Sequence, residues 1–285
     1  MKKNNIKQQV ICFTFILPLL LFFSIAVIIP FFSGINLSFT NWDSIAKDYD
    51  YVKFDNYISA FNDQNMWEGL GKSIYFGLFY CIINNGFAIM IAVLINRTFK
   101  WNKLAKTLFF IPTCLSGVLA AFIWKFLYSS YFTQLLGVNS LLGNPDSALN
   151  AVILIFAWNA VGINIIIYAA SLSSIAVEYY EAAKIDGANK LAQFINITIP
   201  MLMPAFTVCI TLTLTNGMKE FGIVLSSTGG GPINSTKVAL IYIYDNIFQY
   251  YKAGYGQAMS IIFLLILVVI GFTLSKFFRS REVEL

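Results

Sequence analysis

Six separate stretches of the chain, each about 20 residues long, run almost without charge, and that length is what a helix needs to cross the hydrocarbon layer of a bilayer. They fall near residues 10–32, 72–95, 108–128, 149–171, 201–221 and 257–277. The composition leaves few other uses for them. Of 285 residues, 58% are hydrophobic and 12% charged, and the mean hydropathy is +0.71. One globular core cannot hide that much apolar surface, so lipid must cover part of it. The expectation is an all-α membrane protein of about six transmembrane helices in a single domain, 1–285. Its six-helix core takes in about 72–277, with a helix at about 10–32 ahead of it in the same domain.

Lys2, Lys3 and Lys7 precede the first run in the manner of a secretory signal. The run is too long for a signal core and no small-x-small site follows it, so it reads as a retained span. Lysine and arginine set the orientation. One set of loops and ends carries Lys2, Lys3, Lys7, Arg97, Lys100, Lys103, Lys106, Lys184, Lys190, Lys276, Arg279 and Arg281, twelve of the 19 basic residues. Both termini and the 173–200 loop are therefore expected in the cytoplasm, with loops 40–71, 129–148 and 222–256 outside. Neither a duplicated half nor broken helices stand out, and both are common marks of a secondary transporter.

The 173–200 loop is too polar to span, yet it has a helical pattern. Ala182, Ile185 and Ala188, then Leu191, Phe194 and Ile195, recur at near-helical spacing. Gly187 interrupts the pattern, and glycine inside such a run marks a bend or a close approach. The spacing predicts two short helices joined at Gly187, followed by Pro200 at the entry to the next span. Ala182 and Ala183 let a neighbouring backbone come close, while Glu178, Glu181 and Asp186 offer charge to a basic partner. An amphipathic helix that only lies at the interface fits the same pattern.

Inside the fifth run Thr213, Asn216, Gly217 and Glu220 stand at i, i+3, i+4 and i+7, one face of a helix, with Glu220 about 10 Å beyond Thr213 along the axis. A polar stripe at membrane depth faces protein or a wet path. The fourth run offers Trp158, Asn159, Gly162 and Asn164, a mixture of hydrogen-bonding groups and a ring able to stack on an apolar face of a solute. The same residue types also hold membrane helices together without touching solute.

Several classes of chemistry find no foothold. The chain has no histidine, and its four cysteines, Cys12, Cys81, Cys114 and Cys209, lie in apolar runs without a CxxC pair, reading as small buried hydrophobes. No metal site, no cofactor, no catalytic residue and no nucleic-acid partner is expected. The Gly229–Gly231 triplet with Pro232 follows no strand, and Gly71-Lys72-Ser73 has Met66 where a P-loop needs glycine, so neither cradles a nucleotide. The triplet reads as a tight turn.

Glu181, Ala182, Ala183 and Gly187, with Ile197 and Pro200 downstream, resemble the E-A-A-x-x-x-G … I-x-x-P signature of ABC importer permeases. The opening ILPLLLFFSIAVIIPFFSGINLSFTNW with Phe54–Tyr57, the FFIPTCLSGVLAAFIWKFLY run and the TGGGPINST segment resemble the sugar-importer branch: the maltose-permease F-type subunit, in its shorter form, and its multi-sugar and glycerol-phosphate relatives. The resemblance implies the type I importer permease fold in a bacterial cytoplasmic membrane. It makes Glu178, Glu181, Ala182, Ala183, Asp186, Gly187 and Pro200 the contact with a separate ATPase. It puts Trp158, Asn159, Gly162, Thr213, Asn216, Gly217 and Glu220 along the solute path, and Gly229, Gly230, Gly231 and Pro232 against an extracellular solute-binding protein. The implied partners are a second, related permease, two copies of a cytoplasmic ABC ATPase, the binding protein, lipid and a sugar, with glycerol phosphate or another polar solute as the alternative cargo. A self-sufficient secondary transporter and a membrane enzyme are the remaining readings.

Overall fold

Within a bilayer a backbone must close its hydrogen bonds internally, and helices carry nearly all of this chain. The computed structural model describes residues 3–96, 102–137 and 140–282. Among these there is no strand, only one antiparallel bridge between Thr40 and Tyr51. Lys2, Arg97 and Lys100 of the orientation argument lie outside the described residues. The chain divides into two compact units, Met1–Asp63 with Ile243–Ile262, and Gln64–Tyr242 with Phe263–Leu285.

In the first unit, α1 (Lys3–Phe23) and α2 (Ile29–Leu37) make one long apolar run, joined by a wide turn at Ser24–Ile28. Pro30 explains that turn. Proline lacks an N–H and its ring crowds the carbonyl four residues back; the wider turn, in which Ile29 N–H reaches Ser24 O, makes room. The run ends in a tightly bonded corner beside α3 (Asp55–Phe61). Asn56 Nδ2 donates to the carbonyls of Ser38 at 2.9 Å and Thr40 at 2.8 Å, and the Ser38 and Tyr57 hydroxyls meet at 2.6 Å. Gly254 lies so close to the Thr40 carbonyl that any Cβ would overlap it. Nearby, the N–H groups of Ala46 and Ile45 donate to the Asp43 carboxylate and hold its pKa below the ordinary value.

The second unit is built around α4 (Gln64–Asn96). The helices that follow are α5 (Asn102–Phe110), α6 (Gly117–Phe126), α7 (Phe132–Leu136), α8 (Pro145–Ser174), α9 (Val177–Ile185), α10 (Lys190–Gln193), α11 (Ile199–Met201), α12 (Met203–Met218) and α13 (Gly222–Ser227), while α14 (Ala239–Tyr244) and α15 (Ala253–Arg279) are divided between the units, residues 243–262 belonging to the first. Buried apolar side chains form two clusters. One centres on Phe76, Tyr80, Val152, Ile155 and Val224, the other on Ala88, Ile165, Tyr168, Leu202 and Cys209. Lipid gives helices little hydrophobic reason to associate, so small residues that permit close approach matter most. A Cβ on Gly217 would sit 2.8 Å from Gly77 Cα, and one on Gly162 2.9 Å from the Phe109 carbonyl. These contacts bring α12 onto α4 and α8 onto the end of α5.

Among the described residues, four helices are long and apolar enough to cross a membrane, spanning Gln8–Leu37, Gln64–Ile95, Pro145–Ser174 and Ala253–Arg279, and counting each of two bent pairs as one span gives six. The bends correct the sequence reading, which found no broken helix. The third run divides into Leu104–Cys114 and Gly117–Leu135, 96° apart. Pro112 starts a tight turn, Leu115 is extended, and the Ser116 hydroxyl caps the new helix through Leu119 N–H at 3.2 Å. The fifth bends by 67° at Leu202, between Pro200 and Pro204. Cys209 is buried as expected and Cys81 half-buried, whereas Cys12 and Cys114 are exposed, on faces left for lipid or another chain. Replacing Gly217 by leucine forces α12 off Gly77 and is expected to destabilise the protein by about 1–3 kcal/mol; the melting temperature of the purified protein in detergent reads it.

Candidate functional site

The segment between α8 and α12 folds into a hairpin. α9 ends with Asp186 as cap; Gly187, at φ +79°, turns the chain left-handed. Gly187 N–H then bonds Lys184 O at 3.1 Å and Ala188 N–H bonds Ala183 O at 2.8 Å. This pair satisfies carbonyls that a helix end leaves open, and the turn favours a residue without Cβ. The Asn189 side chain opens α10 by accepting from Ala192 N–H at 2.8 Å. Two further bonds brace the hairpin, Gln193 Nε2 to Ala188 O at 3.0 Å and the Tyr180 hydroxyl to that of Thr198 at 2.9 Å. A wide turn at Phe194–Thr198 precedes Pro200, repeating the arrangement around Pro30.

The two short helices predicted around Gly187 are therefore present. Glu178, Glu181, Ala182, Asp186 and Gly187 are exposed, Ala183 and Pro200 half-buried. Ile185 is 87% and Leu191 67% exposed, one on each side of the turn. The hairpin thus presents carboxylates, small residues and two unburied aliphatic side chains together.

The intramembrane candidates separate. Thr213 and Gly217 are buried, Gly217 against Gly77 and Thr213 bonded to its own helix through Cys209 O at 2.7 Å. Asn216 is exposed. The helix ends at Met218, so Glu220 does not continue the expected stripe; its carboxylate instead accepts from Ile223 N–H at 2.7 Å at the start of α13. On α8, Asn159 Nδ2 donates to Pro112 O at 2.8 Å and Leu115 O at 3.2 Å, satisfying carbonyls freed by the break in the third run. Gly162 admits Thr113 and Phe109. Trp158 packs edge-on to Trp124, with ring centroids 5.7 Å apart, and both line a cavity of about 460 Å³ whose walls include Ile83, Phe109, Tyr128 and Asn84.

The glycine triplet lies in a rigid knuckle. Gly229 and Gly230 have φ +61° and +94°. The Thr228 and Thr236 hydroxyls meet at 2.7 Å, and Thr236 Oγ1 donates to Gly231 O at 2.8 Å. Lys72 and Ser73, the false P-loop pair, brace it: Lys72 Nζ donates to Asn234 O at 2.8 Å, and Ser73 Oγ accepts from Ala239 N–H at 3.0 Å. Next to Pro232, Ile233 is 89% exposed. Among the described residues, no group of three or more acidic or cysteine side chains is placed to hold a metal ion.

The family described as the binding-protein-dependent transport system inner membrane component matches residues 84–282, well over half of the chain. The chain belongs to that family. It is a multi-pass membrane permease, a transport component and not an enzyme. Over its whole length it is 31% identical to the probable starch degradation products transport system permease protein AmyD of Thermoanaerobacterium thermosulfurigenes, covering 99% of that protein. It is 29% identical to the multiple sugar-binding transport system permease protein MsmF of Streptococcus mutans, over 89% of this permease and 90% of MsmF. A chain in the crystal structure of a bacterial ABC transporter that imports the acidic polysaccharide alginate has the same fold, with TM-score 0.82, 20% identity, and coverage of 97% and 98% of the two chains. The expected importer-permease fold is thus established.

Sequence reasoning passed over Asn84 and Asn85, two buried amides in α4. Their signal was present, because adjacent amides inside an apolar span are costly unless bonded. In the hairpin, no atom lies within 4 Å of a Cβ built on Gly187, so only backbone conformation restricts that position. Gly187→Val is expected to cost about 1–2 kcal/mol and to make 177–193 a preferred site in limited proteolysis, whereas Gly187→Asn leaves the digestion pattern unchanged.

Proposed function

We propose that this permease is one of two related membrane subunits of an ATP-driven, binding-protein-dependent importer for a carbohydrate, most simply an oligosaccharide. The observation that carries the reading is the braced hairpin 177–193. A water-exposed turn holding Ile185 and Leu191 in the open has unburied apolar area that a partner must cover. The carboxylates of Glu178, Glu181 and Asp186 suit a basic rim on that partner. A separate cytoplasmic ABC ATPase, present in two copies with one per permease subunit, is the partner proposed; this places both termini and the hairpin in the cytoplasm, in keeping with the lysine and arginine bias. The names of the relatives, for starch degradation products and multiple sugars, support a carbohydrate cargo.

The whole chain acts as one transmembrane domain in this reading, and Trp158, Asn159, Gly162, Thr213, Asn216, Gly217 and Glu220 stay assigned to the translocation path in two roles. Trp158 and Asn216 offer free surface to solute. Asn159, Gly162, Thr213, Gly217 and Glu220 shape the wall through their bonds and close contacts. Gly229, Gly230, Gly231 and Pro232 set the knuckle that meets the extracellular binding protein. Glu181→Lys reverses charge on the hairpin without touching a buried group. In proteoliposomes holding the full complex, ATP-dependent oligosaccharide uptake should fall to background while the permease remains inserted and assembled. Undiminished uptake in that variant removes the hairpin as the ATPase contact.

A further inference from the structure

α8 and α12, the two spans joined by the hairpin, do not rely on apolar packing alone. Five polar side chains connect them through α4: Asn84, Asn85, Asn164, Tyr168 and Thr213, none more than 7% exposed. Tyr168 OH donates to Asn85 Oδ1 at 2.7 Å, and Asn85 Nδ2 donates to Thr213 Oγ1 at 2.8 Å. One amide of α4 thus links α8 to α12 directly. Toward the Ala157 level of α8, Asn164 Nδ2 donates to Asn84 Oδ1 at 2.6 Å. Asn85 Nδ2 also reaches the Cys81 carbonyl at 2.8 Å, and Thr213 Oγ1 the Cys209 carbonyl, so these two members each have a second anchor on their own helix.

The hairpin has its own set of bonds, from Tyr180 to Thr198, Gln193 to Ala188 and across the Gly187 turn. Between hairpin and spans the chain has two joints. One is Ile175, extended at φ −73°, ψ 121°, and the other is the 67° bend at Leu202. Bracing on both sides of two joints is the layout of a lever attached to a rigid block. Without the amides, only close packing such as Gly77 against Gly217 and the buried clusters would resist sliding of α8 and α12 along α4 when the hairpin is pushed, since lipid adds little.

We infer that Asn84, Asn85, Asn164, Tyr168 and Thr213 are positioning residues for transport, locking α4, α8 and α12 into one body so that displacement of the hairpin reaches the solute path. The inference rests on the proposed ATPase contact. It predicts separation of ATP hydrolysis from solute movement when the network is cut. The test uses the full complex, both permeases, ATPase and binding protein, in proteoliposomes, with ATP hydrolysis and maltotriose uptake measured side by side. Tyr168→Phe removes one hydroxyl and leaves the ring in place. Asn84→Leu with Asn164→Leu replaces both partners of a buried bond by apolar groups, a change that need not cost stability.

Both variants should assemble as the parent does by size-exclusion chromatography, while sugar moved per ATP falls by about three- to tenfold, the equilibrium effect of one buried hydrogen bond. Thr215→Val removes a hydroxyl that bonds Thr211 O at 2.8 Å within α12 and bridges no helices, and it should keep the ratio. An unchanged ratio in both cut variants, or a ratio lost equally in Thr215→Val, overturns the assignment and reduces the network to helix packing. A failure of the underlying reading looks different: the parent complex itself then shows no ATP-dependent uptake.

Discussion

Tyr168, Asn85 and Thr213, all buried, form a line of hydrogen bonds across three helices. Two facts about the bilayer give this line its weight. Hydrocarbon outside the protein is as apolar as the leucines within, so burying apolar surface between helices gains little. A polar group without a partner there is costly. The fold is therefore held by the places where helices come closest and where amides find one another. Gly77 against Gly217 supplies the first on the same α4–α12 seam that Asn85 supplies with the second. Helix α4 is central because it carries both kinds of contact.

The breaks in the helices follow from the same accounting. An interruption frees carbonyls and N–H groups, and those at residues 111–116 and 219–221 are answered nearby. Asn159 on α8 takes the Pro112 and Leu115 carbonyls, the Ser116 hydroxyl takes Leu119 N–H, and the Glu220 carboxylate takes Ile223 N–H. Three residues that look like solute ligands or plain fillers by type are thus occupied by backbone. An amide or carboxylate beside a helix break is committed locally before it is available to a cargo, and that separates Asn159 and Glu220 from Trp158 and Asn216.

Much of this was legible in the order of residues. Hydropathy and length located the four straight spans to about five residues at each end, except that the second begins at Gln64, eight residues before the expected 72, because crossing a bilayer sets a least length and not the full extent of a helix. The Gly187 turn was legible because only a residue without Cβ accepts φ +79° at no cost. The bends were not, although Pro112 and Pro200 announced trouble. A proline says where a helix is weak, while the 96° and 67° angles depend on what caps the next segment and what it packs against. The Thr213–Glu220 stripe failed because periodicity assumes the helix continues, and α12 stops at Met218. The asparagine pair carries no motif; only its cost at membrane depth marks it.

The hairpin and the seam make opposite use of polarity. In the hairpin the carboxylates face outward and the bracing bonds are few and local, so its shape is fixed while its surface stays available. In the seam every amide is turned inward, and nothing is offered to a partner. Under the proposed ATPase contact, the subunit needs both, a presented surface that does not deform and an interior that does not slip. The joints at Ile175 and Leu202 lie between them. That position makes them, rather than the glycine turn, where the chain would rotate, since the N–H groups of Gly187 and Ala188 tie the turn back to the Lys184 and Ala183 carbonyls of α9.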